Sequence, residues 1–393
     1  MKIFAREGDS FWLYSQIFHI PVQLIEDSNP GIVPSSLQAG REINIPGFVK
    51  KDYRIKTGDS LWKVAKKHNI SVDAIQLLNP SIPPHLIADE IIKIPERITT
   101  FVIDDFDNYD FHKLEKDIQK LTEIYPFIKV NKIGSSVLGK PIYELETGRG
   151  NRVVHFNASF HANEWITTPV LMRLLNEFAL ALTNSKTERK IFPLPLYHRN
   201  CISVVPMVNP DGVNLVLIGP PEERKDEVIQ INGGSTDFTR WKANIRGVDL
   251  NNQFPANWEI EKKRKEPKAP APRDYPGDEP LTEPEAIAMA RLARDRDFAR
   301  LLAFHTQGRE FYWGYEGKEP EESEILARRY ALASGYEPVR NIDSHAGYRD
   351  WFIQQFQKPG FTFELGYGVN PLPISQFSQI YKEMQDVFLV SLQ

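Results

Sequence analysis

The first hundred residues hold one unit twice, and that repeat restricts the fold more than any other feature of the chain. Gly8-Asp9-Ser10-Phe11-Trp12 returns as Gly58-Asp59-Ser60-Leu61-Trp62, and Asn29-Pro30 as Asn79-Pro80, both at an offset of 50. Ile45-Pro46 returns as Ile94-Pro95 at 49. Each copy reads strand, helix, helix, strand. Asp9 or Ser10 can cap the first helix, along which Trp12, Ile17 and Phe18 follow helical spacing, as Trp62, Val64 and Ala65 do in the second copy. Residues 72–78 read as a second helix, stopped near Asn79-Pro80 because proline disfavours helical geometry in the residue before it. Short strands at 43–45 and 91–94 close the units.

On these motifs residues 2–96 resemble two LysM modules. The resemblance implies binding of N-acetylglucosamine-containing glycan beside the first helix and at the loop before the last strand. It implicates Gly8, Asp9, Ser10, Asn29, Pro30 and Gly31 in one copy, and Gly58, Asp59, Ser60, Asn79, Pro80 and Ser81 in the other. Caps and turns alone would also account for each of these residues singly.

At 393 residues, 41% hydrophobic and 25% charged, the chain has room for two or three domains. A net charge of −4 argues against nucleic acid as partner, since phosphate binding needs a clustered basic surface. The single cysteine, Cys201, excludes an internal disulfide and reads as a buried, inert thiol in the apolar run 201–205. No apolar run approaches the ~20 residues that span a bilayer, and the first residues lack an apolar signal segment. The expectation is a chain without membrane insertion that stays in the cytoplasm. Release by lysis, or a place in a spore-forming mother cell, is left open.

From residue 98 onward, strand-like runs (142–146, 153–160, 201–206, 301–304, 361–365) alternate with helical ones (109–125, 169–182, 285–296, 321–334, 374–392). Such alternation predicts an α/β domain with a mixed, mostly parallel central sheet flanked by helices, preceded by two small βααβ units. The expected domains are 1–48, 49–97 and 98–393. Active sites of such sheets gather at the carboxyl ends of strands.

Two histidines stand three residues before an acid, close to the ~1 expected by chance from nine histidines and 52 acidic residues. His112 and Glu115 fall on the polar side of the 109–125 helix, where Glu115 can pair with nearby lysines. His161 and Glu164 follow the run 153–160. His305 ends a second run and Glu364 lies near the end of a third, so three strand ends offer groups that ligate metal.

Over residues 100–392 the chain resembles the zinc carboxypeptidases of the carboxypeptidase A-like family. The motifs, in the family's order, are His161-x-x-Glu164-Trp165, Asn209-Pro210-Asp211-Gly212, Gly247-Val248-Asp249-Leu250-Asn251, Tyr275-x-Gly277-x-x-Pro280 with Thr282-Glu283-Pro284-Glu285, His305, and Phe361-Thr362-Phe363-Glu364-Leu365. The resemblance implies one zinc per catalytic domain, held by His161, Glu164 and His305, with Glu364 as general base. Zinc draws the pKa of its water toward ~7, a carboxylate relays the proton, and a fixed cation meets the charge developing on the substrate oxygen. Where the family has an arginine directly after a tryptophan, Lys242 follows Trp241, and Arg246 stands four residues on; both are candidates. Tyr348 is the candidate for the family's mobile tyrosine, with Ile342 at the position an alignment on Asp350-Trp351 gives.

Two arginines that clamp a peptide's terminal carboxylate in this family are replaced by Asn163 and Asn252. Asparagine lacks the charged bidentate fork, so an ordinary C-terminus loses its main anchor. Joined to glycan modules, this resembles the γ-D-glutamyl-diamino-acid endopeptidase branch of spore-forming bacteria. It implies zinc-dependent hydrolysis of γ-D-glutamyl–meso-diaminopimelate, or γ-D-glutamyl–L-lysine, bonds in peptidoglycan stem peptides. Asn163, Arg240, Asn251 and Asn252 would then meet substrate, and Lys242, Arg240 or Arg246 would face the α-carboxylate of D-glutamate. The alternatives are a conventional carboxypeptidase clamped through Arg246 and a non-catalytic wall-binding protein. The basic run 259–268 reads as a solvated surface insertion. The preferred diamino acid and the oligomeric state carry no sequence signature.

Overall fold

The computed structural model describes residues 1–34, 37–83, 85–187 and 191–393. They form two compact units, one of Met1–Ile103, Asp117–Lys129 and Asn176–Leu194, the other of Asp104–Lys116, Val130–Leu175 and Pro195–Gln393.

In the first unit each repeat is a βααβ element. β1 (Lys2–Phe4) pairs antiparallel with β2 (Glu42–Asn44), with helices Phe11–Phe18 and Val22–Asp27 between them in sequence. β3 (Phe48–Arg54) pairs antiparallel with β4 (Ile91–Arg97), enclosing helices Leu61–His68 and Val72–Leu78 in the same way. The repeated motifs are the joints of this fold. Ser10 and Ser60 cap the first helices, accepting from the Leu13 and Lys63 N–H groups at 3.1 and 3.3 Å. Asp9 accepts from the Arg6 N–H and the Tyr14 hydroxyl, and Asp59 from the Lys56 N–H and the Tyr53 hydroxyl. Asn29 and Asn79 tie the second helix to the closing strand. Asn79 donates to the Ile75 and Lys93 carbonyls and accepts from the Lys93 N–H at 2.9 Å; Asn29 does the same with Ile25 and Asn44. Gly8 and Gly58 turn at φ +81° and +83°, where an L side chain is strained.

Helical spacing misplaces two residues here. Trp12 and Trp62 are 66% and 63% exposed, because their neighbours Phe11 and Leu61 take the inward positions. Segments expected in the third domain also pack within this unit. Arg97 donates to the Thr183 carbonyl at 2.6 Å, and Asn176 Oδ1 accepts from the Val102 and Ile103 N–H groups.

The second unit is built on an eight-stranded mixed sheet. Its strands are β5 (Lys129–Ser135), β6 (Pro141–Thr147), β7 (Arg152–Ala158), β8 (Asn200–Val205), β9 (Arg300–His305), β10 (Glu310–Tyr312), β11 (Glu337–Val339) and β12 (Gly360–Glu364). The spatial order is β11-β10-β12-β9-β7-β8-β6-β5. β8, β7, β9 and β12 run parallel as neighbours, while β10 is antiparallel to β12 and β6 to β8. Every residue of β8 and β9 is buried, as parallel strands covered on both faces require. Flanking helices include Thr167–Thr183, Pro210–Ile218, Pro284–Arg296, Glu321–Ser334, Tyr348–Phe356 and Phe377–Ser391.

Three-residue strands such as β10 and β11 are too short for a periodic signal. The run 153–160 stops as a strand at Ala158 because Ser159 turns at φ +50°, its N–H donating to the Thr167 hydroxyl at 3.0 Å. His112 is exposed, and Glu115 accepts from the Tyr143 hydroxyl rather than pairing with a lysine. Cys201 is buried. Among the described residues no helix is long and apolar enough to cross a membrane.

Candidate metal centre and catalytic cleft

Register brings the candidate ligands together. Glu364 pairs with His305 across β12 and β9, and Ala158 pairs with Phe304 across β7 and β9, so three carboxyl ends stand side by side. Beyond Ser159 the chain folds into the short turn Ala162–Glu164, which sets His161 and Glu164 facing His305. His161 Nδ1 lies 2.9 Å from Glu164 Oε1 and 3.1 Å from His305 Nδ1, which lies 3.0 Å from Glu164 Oε2. All three side chains are buried. Two imidazole lone pairs this close repel unless a proton or a cation lies between them. Two imidazoles and a carboxylate around one point are the donor set a catalytic zinc takes, and the residues fit it.

Neighbours fix that cluster. The Thr306 N–H and the Asn370 amide donate to Glu164 at 3.3 and 3.4 Å. Asp249 lies 3.2 Å from His161 Nε2 and 3.3 Å from Lys242 Nζ, and accepts from the Asn251 N–H at 3.1 Å. That explains the spacing of Asp249-x-Asn251, although the motif alone does not disclose that Asp249 faces a ligand. Asn209 closes the loop behind the site, donating to the Phe160 and Ala243 carbonyls. Gly212 is required there, since a Cβ would come within 2.8 Å of Ala162 Cβ.

Burial opposes every charge in this cluster, yet partners outweigh it in most. Glu164 is held below the usual carboxylate range by His161 and His305, and Asp249 well below it by Lys242 and His161. Lys242 is raised, since Asp249 and Glu164 outweigh its desolvation, so it stays a cation. Burial lowers His305 outright, whereas Glu164 and Asp249 overcome burial to raise His161. At Glu364 burial first, then the charge of Glu164, outweigh His161 and Lys242 and push it up to about 8.

Two cavities meet at His161, Lys242, Tyr312 and Glu364, making the arms of one cleft. The larger, of about 380 Å³, is lined also by Asn163, Arg240, Arg273, Thr306, Gln307 and Asn370. The smaller, of about 160 Å³, is lined by Asp249, Asn251, Asn252, Lys265, Arg349 and Asp350 among others. Asn163 is buried, and its Oδ1 has no hydrogen-bond partner among the described residues. Asn251 Oδ1 accepts from the Tyr348 N–H at 3.1 Å.

Two candidates lie elsewhere. Arg246 lines neither arm; its half-exposed guanidinium pairs with Glu283 at 3.5 Å, which leaves Lys242 as the cation beside the ligands. Tyr348 opens a helix in the core, fully buried against Phe160, Phe254 and Trp351, its hydroxyl donating to the Met289 carbonyl. It packs in the core here and lines neither arm of the cleft. The phenol in the cleft is Tyr312, on β10, donating to Glu310. Lys265 corrects the reading of the basic run, since it lines the smaller arm and pairs with Glu261 and Asp274. Arg273 and Arg349 also line the cleft and carry no local motif.

Sheet, ligand cluster and cleft together are those of a zinc metallopeptidase. The zinc carboxypeptidase family model matches residues 114–387, and the chain belongs to that family. The LysM domain model matches residues 5–46 and 53–95. The chain is 53% identical over 395 residues to gamma-D-glutamyl-L-diamino acid endopeptidase 1 of Lysinibacillus sphaericus, covering 100% of both. It is 52% identical over 279 residues to the uncharacterized protein YqgT of Bacillus subtilis, covering 70% of this chain and 74% of that one. Bovine thrombin-activatable fibrinolysis inhibitor, solved in complex with tick carboxypeptidase inhibitor, shares the fold. Its TM-score is 0.57 at 19% identity, over 72% of this chain and 95% of that one.

Proposed function

We propose that this chain hydrolyses γ-D-glutamyl–diamino-acid bonds in peptidoglycan stem peptides. One zinc held by His161, Glu164 and His305 would serve the reaction, and the LysM modules would bind N-acetylglucosamine-containing glycan. In this division residues 1–48 and 49–97 bind the wall and 98–393 cut it. The observation that carries the reading is the cleft: a buried ligand cluster with Glu364 where two arms meet, and asparagine at both 163 and 252. The full-length match to an enzyme named for that bond supports it.

Bound zinc supplies Lewis acidity and a nucleophile at neutral pH. A zinc held by the three ligands would favour the carboxylate form of Glu364, which takes the proton from the attacking water and returns it to the leaving amine. Lys242 faces the oxygen that gains negative charge, and costs no reorganisation because Asp249 already holds it. Asp249 steadies His161 from the far side of its ring. Arg240 and Arg273 give the larger arm a positive field suited to the α-carboxylate of D-glutamate. Asn163 Oδ1 is open to accept from a substrate amide.

The test is a digest of L-Ala-γ-D-Glu-meso-diaminopimelate and of its α-linked isomer, with and without chelator, read by mass spectrometry. Release of L-Ala-D-Glu from the γ-linked peptide alone, abolished by chelator, is expected. Equal cleavage of the α-linked isomer would count against the assignment.

A further inference from the structure

A carboxylate that lines neither arm of the cleft touches cations of both. Asp274 lies 2.8 Å from Arg273 Nε, 3.5 Å from Lys265 Nζ and 3.9 Å from Lys242 Nζ. Arg273 lines the larger arm, Lys265 the smaller and Lys242 both. The backbone of Asp274 turns at φ +66°, uncommon for a residue with a side chain, and such a conformation persists where the surroundings fix it. Hydrogen bonds do so here. The Lys242 and Ala243 N–H groups donate to the Pro272 carbonyl at 2.8 and 2.9 Å, the Ala271 N–H to the Gly247 carbonyl at 3.0 Å, and the Asp249 N–H to the Tyr275 carbonyl at 2.7 Å. The strap 271–275 is thus fastened along the segment that carries Lys242 and Asp249, and the Asp274 N–H itself donates to Asp249 Oδ2 at 3.4 Å.

Lys242 gains from a second anion. An ammonium is a point charge on a flexible stem, with no planar fork to fix its direction. Asp249 Oδ2 lies 3.3 Å from it, but Asp249 Oδ1 is 3.2 Å from His161 Nε2 and accepts from the Asn251 N–H. The charge of Asp249 is therefore shared between a metal ligand and the cation. Arg273 repels Lys242, and Asp274 offsets that repulsion. Burial opposes the charge of Asp274, yet Lys242, Arg273 and Lys265 outweigh it and hold the carboxyl below its ordinary range, so it stays an anion beside them.

Resting on the reading of Lys242 as the cation at the developing charge, we propose that Asp274 is a positioning residue of the hydrolysis. With Asp249 it keeps the Lys242 ammonium within reach of two carboxylates where the arms meet, and it balances the neighbouring Arg273. It acts through Lys242 and not on the substrate.

The experiment is a double-mutant cycle in the full-length, zinc-loaded chain, with L-Ala-γ-D-Glu-meso-diaminopimelate as substrate and steady-state rates read by mass spectrometry. Asp274→Asn keeps the size and the backbone N–H and removes the charge. It should lower kcat on the order of 10-fold, with zinc content unchanged and KM within about 2-fold of wild type. Asp274→Glu, which keeps the charge on a longer stem, should recover part of that loss. In a Lys242→Met background the Asp274→Asn change should have no further effect, because the cation it steers is gone. Should Asp274→Asn fail to fold, Asp274→Gly repeats the cycle, since glycine accepts the φ of this position. Equal fold-losses in the two backgrounds would make the strap merely structural and overturn the proposal. Wild-type kcat in the folded, zinc-loaded variant would overturn it too, as would a loss confined to KM. Wild-type kcat in Lys242→Met would instead remove Lys242 from the chemistry, and this inference with it.

Discussion

The two units treat their motif residues in opposite ways. In the repeats, Asp9, Asn29, Asp59 and Asn79 spend their hydrogen bonds inside the fold, and the two asparagines join helix to strand. In the catalytic sheet, Asn163 Oδ1 and Arg349 Nη1, which line the cleft, have no hydrogen-bond partner among the described residues. A repeated motif can thus mark architecture, while chemistry lies where buried polar groups are left open.

The largest effects that sharpen the contrast are at the metal centre. Glu364→Gln should lower kcat about 10²- to 10⁴-fold with zinc content unchanged by elemental analysis. Turnover equal to wild type would remove Glu364 from the chemistry. Lys242→Met should lower kcat about 10²- to 10³-fold in steady-state assays, with Lys242→Arg retaining more, because the variant loses a cation fixed beside the developing charge. Asp249→Asn acts through His161 and should weaken zinc about 10- to 100-fold in chelator competition; unchanged affinity would make Asp249 a partner of Lys242 alone.

Smaller effects probe the architectural side. Asn79→Ala removes three internal hydrogen bonds and should cost about 1–3 kcal/mol in urea unfolding. No loss would break the contrast between the units. Glu285, within the catalytic unit, tests burial without catalysis. Burial chiefly raises its pKa from 4.5 to about 7, and its Oε1 accepts from the Val137 N–H at 3.1 Å. Between those pH values the folded chain binds a proton that the unfolded chain has released, so stability is lost as pH rises through that window. Glu285→Gln keeps an acceptor for Val137 and should remove that loss. It should be more stable than wild type at pH 8, by up to ~3 kcal/mol, and equal to it near pH 4.5; no difference at pH 8 would place the titration elsewhere.

How much of this was legible depended on whether a residue belonged to a long periodic run. β7, β9 and β12 are apolar runs that end at or shortly before a polar group, so His161, His305 and Glu364 could be placed on one edge from sequence. Tyr312 sits on a three-residue strand whose pairing to β12 is non-local, and no pattern announced it. Tyr348 and Arg349 are adjacent, yet one enters the core and the other lines the cleft. Which way each points is set by the first turn of the helix Tyr348–Phe356, which is too short for a firm periodic signal. Trp12 and Trp62 failed for a related reason, since an aromatic beside an apolar residue does not say which of the two faces inward.

The most direct measurement is cleavage of a stem tetrapeptide, L-Ala-γ-D-Glu-meso-diaminopimelyl-D-Ala, with its C-terminus blocked as an amide. Mass spectrometry should find L-Ala-D-Glu and the amidated diaminopimelyl-D-Ala fragment, with neither product formed by Glu364→Gln or in the presence of chelator. An intact peptide, alongside C-terminal trimming of the unblocked form, would contradict the account and return the chain to the conventional carboxypeptidases.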